Sequence, residues 1–192
     1  METVGLGATE ASVDTDPYRA FAYLLGHPTP DRFDWLSKSV GIDSKGAEFE
    51  SYEQYEASYI ALFDVGVPEP PVPLLESYYH KAIPAQQTVL ENSDFFGVLG
   101  LRPSTSALPP DHLVTQLEFL AAARYLQENC NPELDLQNLE RLERDFLERH
   151  LLSWIPAALA KLEELNPPFF PACFALLLDF LRTRHHAVSP RD

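Results

Sequence analysis

The sequence predicts an all-α fold, a single-domain bundle of about six to eight helices. Apolar residues recur at intervals of three and four along several segments, which is the period of a helix with one buried face. No stretch alternates apolar and polar residues over the length of a useful strand. The chain has 192 residues, which suits one domain with a sizeable core better than two domains.

Capping residues, glycines and prolines divide the chain into predicted helices. Asp16 is placed to cap the first helix, Pro17 suits its first turn, and Gly26 can end it. Gly100 is expected to close a later helix, and Pro156 should bend a long one near Leu152 because it removes a backbone hydrogen bond. The predicted helices are residues 17–25, 30–40, 48–63, 84–99, about five turns from 110, 132–165 and 168–183.

The two ends of the chain differ in composition from this middle part. Residues 1–15 are small and polar, with little to bury, and predict a disordered tail. Residues 16–184 form the predicted helical domain. Residues 185–192 are polar and basic and are expected to fray from the last helix.

The balance of charge constrains the partners of the protein. Lys and Arg number 14 against 29 Asp and Glu, which gives a formal net charge of −15. Nucleic acids and anionic membranes both require positive charge facing phosphate, so neither is an expected partner. A cationic partner is favoured instead.

The cysteines and the apolar segments predict a cytoplasmic protein without a membrane span. Cys130 and Cys173 are too few for a disulfide framework, too far apart for a thiolate metal motif, and are expected to be small buried apolar residues. The first residues have neither the basic start nor the apolar stretch of a secretory signal. The longest apolar run, PPFFPACFALLLDFL, is interrupted by Pro171 and Asp179 and is shorter than the roughly 20 residues that a spanning helix needs.

An aromatic stripe runs along the third predicted helix. Phe49, Tyr52, Tyr55, Tyr59 and Phe63 are spaced by three and four residues and therefore share one face. Such a stripe is more typical of a core than of a binding site. Phe63, at its end and next to a proline-rich segment, is the member expected to reach a groove.

That proline-rich segment is predicted to be extended and rigid. Pro68, Pro70, Pro71 and Pro73 exclude a helix and favour an ordered loop over a flexible linker.

The stretch LPPDHLVTQLEFL places an Asp-His pair at the start of a predicted helix. Asp111 is expected to cap that helix, and a polar pair on a proline-stiffened hinge is also well placed to bind a ligand or peptide. A metal site using His112 with Gln116 and Glu118 lacks the spacing of two histidines one turn apart. No nucleophile elbow or Gly-rich phosphate loop is present, so catalysis and a resident cofactor are not expected. Two alternatives to a peptide-binding role remain: a small metal-dependent hydrolase that uses His112 and Glu118, and a generic helical adaptor.

Three segments together resemble the TorD/DmsD/NarJ family of chaperones for molybdenum-cofactor enzymes: YEQYEASYIALFDVGVPEPPVPLLESYY, PPDHLVTQLEFLAAARYL and FLERHLLSWIPAALAKL. The family shows an aromatic helix ending in Leu-Phe, a proline loop, a Glu-Ser-x-Tyr turn, a Pro-Asp-His-Leu hinge and a His-Leu-x-x-Trp helix. All five occur here in that order, over about residues 16 to 183. The segment FDVGVPEPPVPLLES is similar to the corresponding segment in the branch of the family that serves dimethyl sulfide and ethylbenzene dehydrogenases or selenate and chlorate reductases.

The resemblance implies a cytoplasmic, non-enzymatic chaperone with a TorD-like fold. Its partner would be the catalytic subunit of a molybdopterin oxidoreductase, bound through the N-terminal twin-arginine signal and held until cofactor is inserted before export. The cofactor-insertion machinery is a further possible partner. The peptide-binding residues that the resemblance implies are Phe63, Pro71, Glu76, Tyr79, Asp111 and His112.

The chain departs from the family in the proline loop, where many relatives have a tryptophan and this sequence offers Val72 and Leu74. A twin-arginine signal combines paired guanidinium groups with an apolar stretch, so its receptor needs carboxylates beside an apolar cleft. Glu76 and Asp111 are expected to provide the carboxylates. The neighbouring Phe63, Leu74 and Leu75 are expected to provide the apolar cleft.

Overall fold

The computed structural model describes residues 16–39, 49–102, 108–129 and 133–189, and within these ranges the chain forms eight helices and no β-strand. The all-α prediction is confirmed, and the number of helices lies within the predicted range. The helices are α1 Pro17–Leu24, α2 Pro30–Ser39, α3 residues 52–64, α4 Glu76–Tyr79, α5 Ala85–Val98, α6 Leu113–Asn129, α7 residues 133–165 and α8 Phe170–Ala187.

The predicted capping residues act as expected at two helix ends. The carboxylate of Asp16 accepts a hydrogen bond from the backbone N–H of Tyr18 at 2.9 Å, and Pro17 occupies the first turn of α1. Gly100 follows α5 with a φ of 70°, a left-handed conformation that glycine adopts without strain. Its N–H bonds to the carbonyl of Gly97, and the N–H of Leu101 bonds to that of Phe96.

Two helices contain a π-helical segment, in which the backbone gains one residue per turn. In α3 this segment is Ile60–Asp64, and in α7 it is Leu147–Leu151. The second segment ends next to Leu152, whose carbonyl would be the hydrogen-bond acceptor of residue 156 in a regular helix. Pro156 has no N–H to donate and lies inside the regular helix that follows, so the irregular segment of α7 ends beside Leu152, the position at which the proline predicts a bend.

The core joins the long helices through apolar and aromatic side chains. Helix α1 packs on α6, α6 on the first part of α7, and α8 on the last part of α7. Trp154, Tyr18, Tyr55 and Phe146 are among the largest fully buried side chains. The aromatic stripe belongs to this core, as predicted, although Phe49 precedes α3: four of the five rings are buried, and Tyr52 is half-buried against them.

The C-terminal helix is longer than the sequence predicts. Helix α8 continues to Ala187, so His185 and His186 belong to its last turn and not to a frayed tail beginning at 185. The predicted tail at 1–15, the expected helix end at Val40 and Gly41, and Cys130 lie outside the described residues, whereas Cys173 is buried as expected. None of the described helices combines the length and the apolar character needed to cross a lipid bilayer.

Candidate functional site

A groove of about 830 Å³ lies between the proline loop, residues 65–75, and the hinge, residues 108–112. Its walls come from the end of α3, the proline loop, α4, the start of α5 and the hinge, so segments distant in sequence meet there. The lining residues are Phe63, Asp64, Glu69, Pro70, Pro73, Leu74, Leu75, Ser77, Tyr78, Lys81, Ala85, Leu108, Pro109 and His112.

Backbone hydrogen bonds join the two long walls of the groove. Leu75 and His112 form an isolated antiparallel bridge. The N–H of Leu113 donates to the carbonyl of Leu74 at 2.9 Å, and the N–H of Glu76 donates to the carbonyl of Asp111 at 3.0 Å. The proline loop and the hinge therefore hold a defined separation although neither belongs to a sheet.

Phe63 reaches the groove as the sequence predicts. It lies in the π segment of α3, a kind of local distortion that is frequent at functional sites. Its ring packs against Tyr59 at 4.9 Å and Phe170 at 5.0 Å between centroids, which ties this wall to the core. Leu74, Pro73 and Phe63 supply an apolar surface that is supported from behind.

His112 also lines the groove, and its ring caps α6. Its Nδ1 accepts a hydrogen bond from the N–H of Val114 at 3.2 Å, which requires that this nitrogen carry no proton. Burial lowers the pKa of His112 from 6.5 to about 4, so the ring is neutral near pH 7. His112 thus presents a fixed neutral imidazole to the groove.

Asp111 caps a different helix from the one predicted. Its side chain accepts a hydrogen bond from the N–H of Ser77 at 3.2 Å, at the start of α4, while α6 begins at Leu113. It is 1% exposed and does not line the groove. The prediction that Asp111 caps its own helix is wrong, because the backbone pairing of hinge and proline loop brings α4 next to its carboxylate.

Glu76 is the centre of a buried polar cluster. It is 1% exposed and accepts hydrogen bonds from the side-chain amides of Asn92, at 2.9 Å, and Gln116. The Nδ1 of His150 lies 3.0 Å from both of its oxygens, and the Nδ1 of His80 lies 3.3 Å from one of them. Glu76 therefore attaches α4 to α5, α6 and α7 and does not line the groove.

The two remaining predicted residues lie beside the groove without lining it. Tyr79 is half-buried and stacks on Trp154 with ring centroids 5.2 Å apart. Pro71 is exposed on the proline loop, whereas its neighbours Pro70 and Pro73 line the groove. At the positions that depart from the family, Leu74 contributes to the wall and Val72 is buried behind it.

The sequence reasoning missed the charged residues of the groove. Asp64 and Glu69 are exposed carboxylates of its wall, and Lys81 is an exposed cation on the loop after α4. Tyr78 lies between two lysines, with the Nζ of Lys161 4.3 Å and that of Lys81 5.7 Å from its ring centroid. Asp64 directly follows Phe63, and Glu69 lies among the prolines, so the same motifs could have indicated both carboxylates.

The alternative of a metal site finds no support in the described residues. Nowhere in them do three His, Cys, Asp or Glu side chains gather closely enough to hold a metal ion. His112 lines the groove, whereas Glu118 does not line it and is influenced by the charges of Arg19 in α1 and Arg32 in α2. Burial raises the pKa of Glu118, and these two arginines oppose that effect.

Residues 42–160 match the family described as Nitrate reductase delta subunit. The chain is 31% identical to the selenate reductase assembly chaperone protein of Thauera selenatis, over 79% of this chain and 78% of that protein. It is 31% identical to the chlorate reductase assembly chaperone protein of Ideonella dechloratans, over 76% and 75%. It is 30% identical to the perchlorate reductase assembly chaperone protein of Dechloromonas aromatica, over 67% and 57%. These are names of assembly chaperones and not of enzymes, in agreement with the expectation of a non-enzyme.

Proposed function

The chain belongs to the nitrate reductase delta subunit family, and on that premise we propose that it is a cytoplasmic assembly chaperone for a molybdopterin oxidoreductase. Its partner is the catalytic subunit of that enzyme, bound through the N-terminal twin-arginine signal. The chaperone holds the subunit until the molybdenum cofactor is inserted, and export follows. The family resemblance of the proline loop and the hinge supports this assignment.

The observation that carries the proposal is the groove, which combines apolar walls with the exposed carboxylates of Asp64 and Glu69. A twin-arginine signal has paired guanidinium groups beside an apolar stretch, and each part has a counterpart here. Leu108, which is 46% exposed, offers most of the accessible apolar surface, and Phe63 and Leu74, at 4% and 3%, form the wall behind it. Burying such surface stabilises a complex by roughly 25 cal/mol per Å².

The groove is also preorganised, since the core fixes its walls before a peptide arrives. Phe63 packs on Phe170, His112 caps α6, and the loop and hinge share backbone hydrogen bonds. A rigid site loses little conformational entropy on binding, so more of the contact energy appears as affinity. Phe63 and His112 are the proposed direct contacts among the predicted residues, and Pro71, Glu76, Tyr79 and Asp111 are proposed to shape the groove.

The proposal is tested by calorimetry with the whole protein. The ligands are synthetic N-terminal peptides of the molybdopterin oxidoreductase catalytic subunits encoded in the same genome. We expect one of them to bind saturably, and Leu108→Ser to weaken its binding about fivefold or more because apolar burial is lost. Leu176→Ser is the matched control, since Leu176 is 64% exposed and does not line the groove.

Two results would count against the proposal. If none of these peptides binds, the signal is not the ligand. If deletion of the gene leaves every molybdoenzyme activity of the cell unchanged, the protein is better described as a helical adaptor unrelated to molybdenum.

A further inference from the structure

The carboxylates expected to bind the arginine pair are already engaged inside the protein. Glu76 receives its hydrogen bonds from Asn92, Gln116 and a histidine, and Asp111 receives one from Ser77. Both are 1% exposed. A guanidinium group could reach either of them only after these internal contacts were broken, at a cost that an exposed carboxylate would not incur.

Asp64 and Glu69 are in the opposite situation. Both line the groove and both are exposed. The only described basic side chain within 4.0 Å of Asp64 is that of His27, whose Nε2 lies 3.6 Å away and which is 63% exposed, and no described basic side chain forms an ion pair with Glu69. Their charges are therefore accessible to a ligand in the groove.

A tight turn brings the backbone around these two residues together. A Cβ atom at Gly66 would overlap the carbonyl oxygen of Glu69 and would lie 2.6 Å from the Cα of Pro70. Only glycine allows this approach, so Gly66 lets the proline loop fold back immediately after α3. The turn places Glu69 on the same groove as Asp64.

The basic residues of the groove determine on which side a bound cation is favoured. Lys81 is the one lysine or arginine among the lining residues that the structure describes, and it lies after α4. His112 is neutral near pH 7, because burial lowers its pKa to about 4. A guanidinium pair is repelled by Lys81 and attracted by the wall that carries Asp64 and Glu69.

We propose that Asp64 and Glu69 are the residues that recognise the arginine pair of the bound peptide, while Glu76 and Asp111 only hold the groove in shape. The inference rests on the proposed function and adds the residues that determine specificity. Each of these exposed carboxylates of the groove can accept paired hydrogen bonds from one planar guanidinium group, a geometry that lysine cannot reproduce. The apolar part of the peptide then lies along Phe63, Leu74 and Leu108.

The test combines removal of both carboxylates from the protein with removal of both arginines from the peptide. The probes are a synthetic peptide in which Arg-Arg precedes alternating Leu and Ala, and a second peptide with Gln-Gln in place of the arginines. We expect the wild-type protein to bind the Arg-Arg peptide roughly tenfold or more tightly than the Gln-Gln peptide. Asp64→Asn/Glu69→Gln should bind the Arg-Arg peptide about as weakly as the Gln-Gln peptide, and should bind the latter as the wild type does.

A matched double variant separates local recognition from the overall negative charge. Glu163→Gln/Asp179→Asn also removes two negative charges, but from exposed positions that do not line the groove. It should retain the wild-type preference for the Arg-Arg peptide within about twofold, since distant surface charges act weakly.

Each contrary outcome has its own meaning. If the Asp64→Asn/Glu69→Gln variant keeps its preference for arginine, the assignment of these carboxylates is wrong and the proposed function stands. The assignment is equally wrong if the control variant loses that preference to the same extent. If the wild-type protein binds neither of these peptides, the assignment fails, whereas the proposed function is decided by the native N-terminal peptides.

Discussion

His112 combines two tasks that require the same protonation state. Its unprotonated Nδ1 caps α6, and its neutral ring forms part of an otherwise apolar wall. Burial is the cause of its lowered pKa, since a charged imidazole would lose hydration that the groove does not replace. The residue thus connects the stability of a helix end to the electrostatics of the groove.

This lowered pKa predicts a loss of stability in acid. The unfolded chain takes up the proton near pH 6.5, whereas folded His112 takes it up only near pH 4. Its stabilising contribution is therefore complete above about pH 6.5 and is lost as the pH falls towards 4. Between about pH 7 and pH 4.5, the free energy of unfolding should fall by about 2 kcal/mol more for the wild type than for His112→Asn.

Urea denaturation at both pH values measures this difference. Asn is the suitable replacement because it is a preferred capping residue and does not titrate. Equal losses in the two proteins would mean that other groups cause the acid instability.

Glu76 illustrates how burial changes the role of a residue. Glu76→Ala would leave the amides of Asn92 and Gln116 and the ring of His150 without their shared acceptor. The free energy of unfolding should therefore fall by about 3 kcal/mol or more. Asp64→Ala, at an exposed site, should change it by less than about 0.5 kcal/mol.

Denaturant titrations of both variants, followed by peptide calorimetry, distinguish a residue that maintains the structure of the groove from one that contacts the peptide. A folded Glu76→Ala protein with unchanged stability and abolished peptide binding would contradict the structural role and restore Glu76 as a direct contact.

The two π segments show how helices α3 and α7 serve the groove. One lies where α3 presents Phe63 and Asp64, and the other lies where α7 presents His150 to Glu76. An extra residue in a helical turn changes which side chains face inward, so each segment redirects a side chain that a regular helix would orient differently. The intervals of three and four residues in the sequence do not reveal this local change.

The turn after α3 gives a prediction about the proline loop. Gly66→Ala should weaken binding of the Arg-Arg peptide at least about tenfold, because the added Cβ must move Glu69 and Pro70. Gly97→Ala is the matched control, since a Cβ at Gly97 meets no atom within 4 Å. It should leave binding unchanged and raise the free energy of unfolding by about 0.5 kcal/mol or more, as alanine favours helices.

Calorimetry and urea denaturation of the two alanine variants test this directly. Undiminished affinity in Gly66→Ala would show that the close approach of residues 66 and 69 is not needed for recognition.

Across the molecule, the formal charge of −15 acts on the encounter with a cationic peptide more than on its recognition. A negative field accelerates association at low ionic strength, and salt screens it over about 10 Å at 0.1 M. The specific part of binding depends on a few carboxylates with fixed positions. The charge balance thus indicates the sign of the partner, whereas the groove selects its chemical groups.

The helices could be predicted from the sequence because helix formation depends on neighbouring residues. Asp16, Gly100 and the spacing of the aromatic stripe all lie within one or two turns of what they control. The four-residue helix α4 was not predicted, because it depends on Asp111, 34 positions away from the N–H that it caps. The end of α8 was also missed, since polar residues at a helix end are compatible with either fraying or helix.

The location of the groove could be inferred from motifs, but the roles of its carboxylates could not. Glu76, Asp111, Asp64 and Glu69 are all acidic residues near the proline loop or the hinge, and nothing in their immediate sequence separates buried from exposed. Contacts between distant segments make that distinction: His150 lies 74 positions from Glu76. Local periodicity determines which residues form helices, and only the packing of those helices determines which charges remain accessible to a partner.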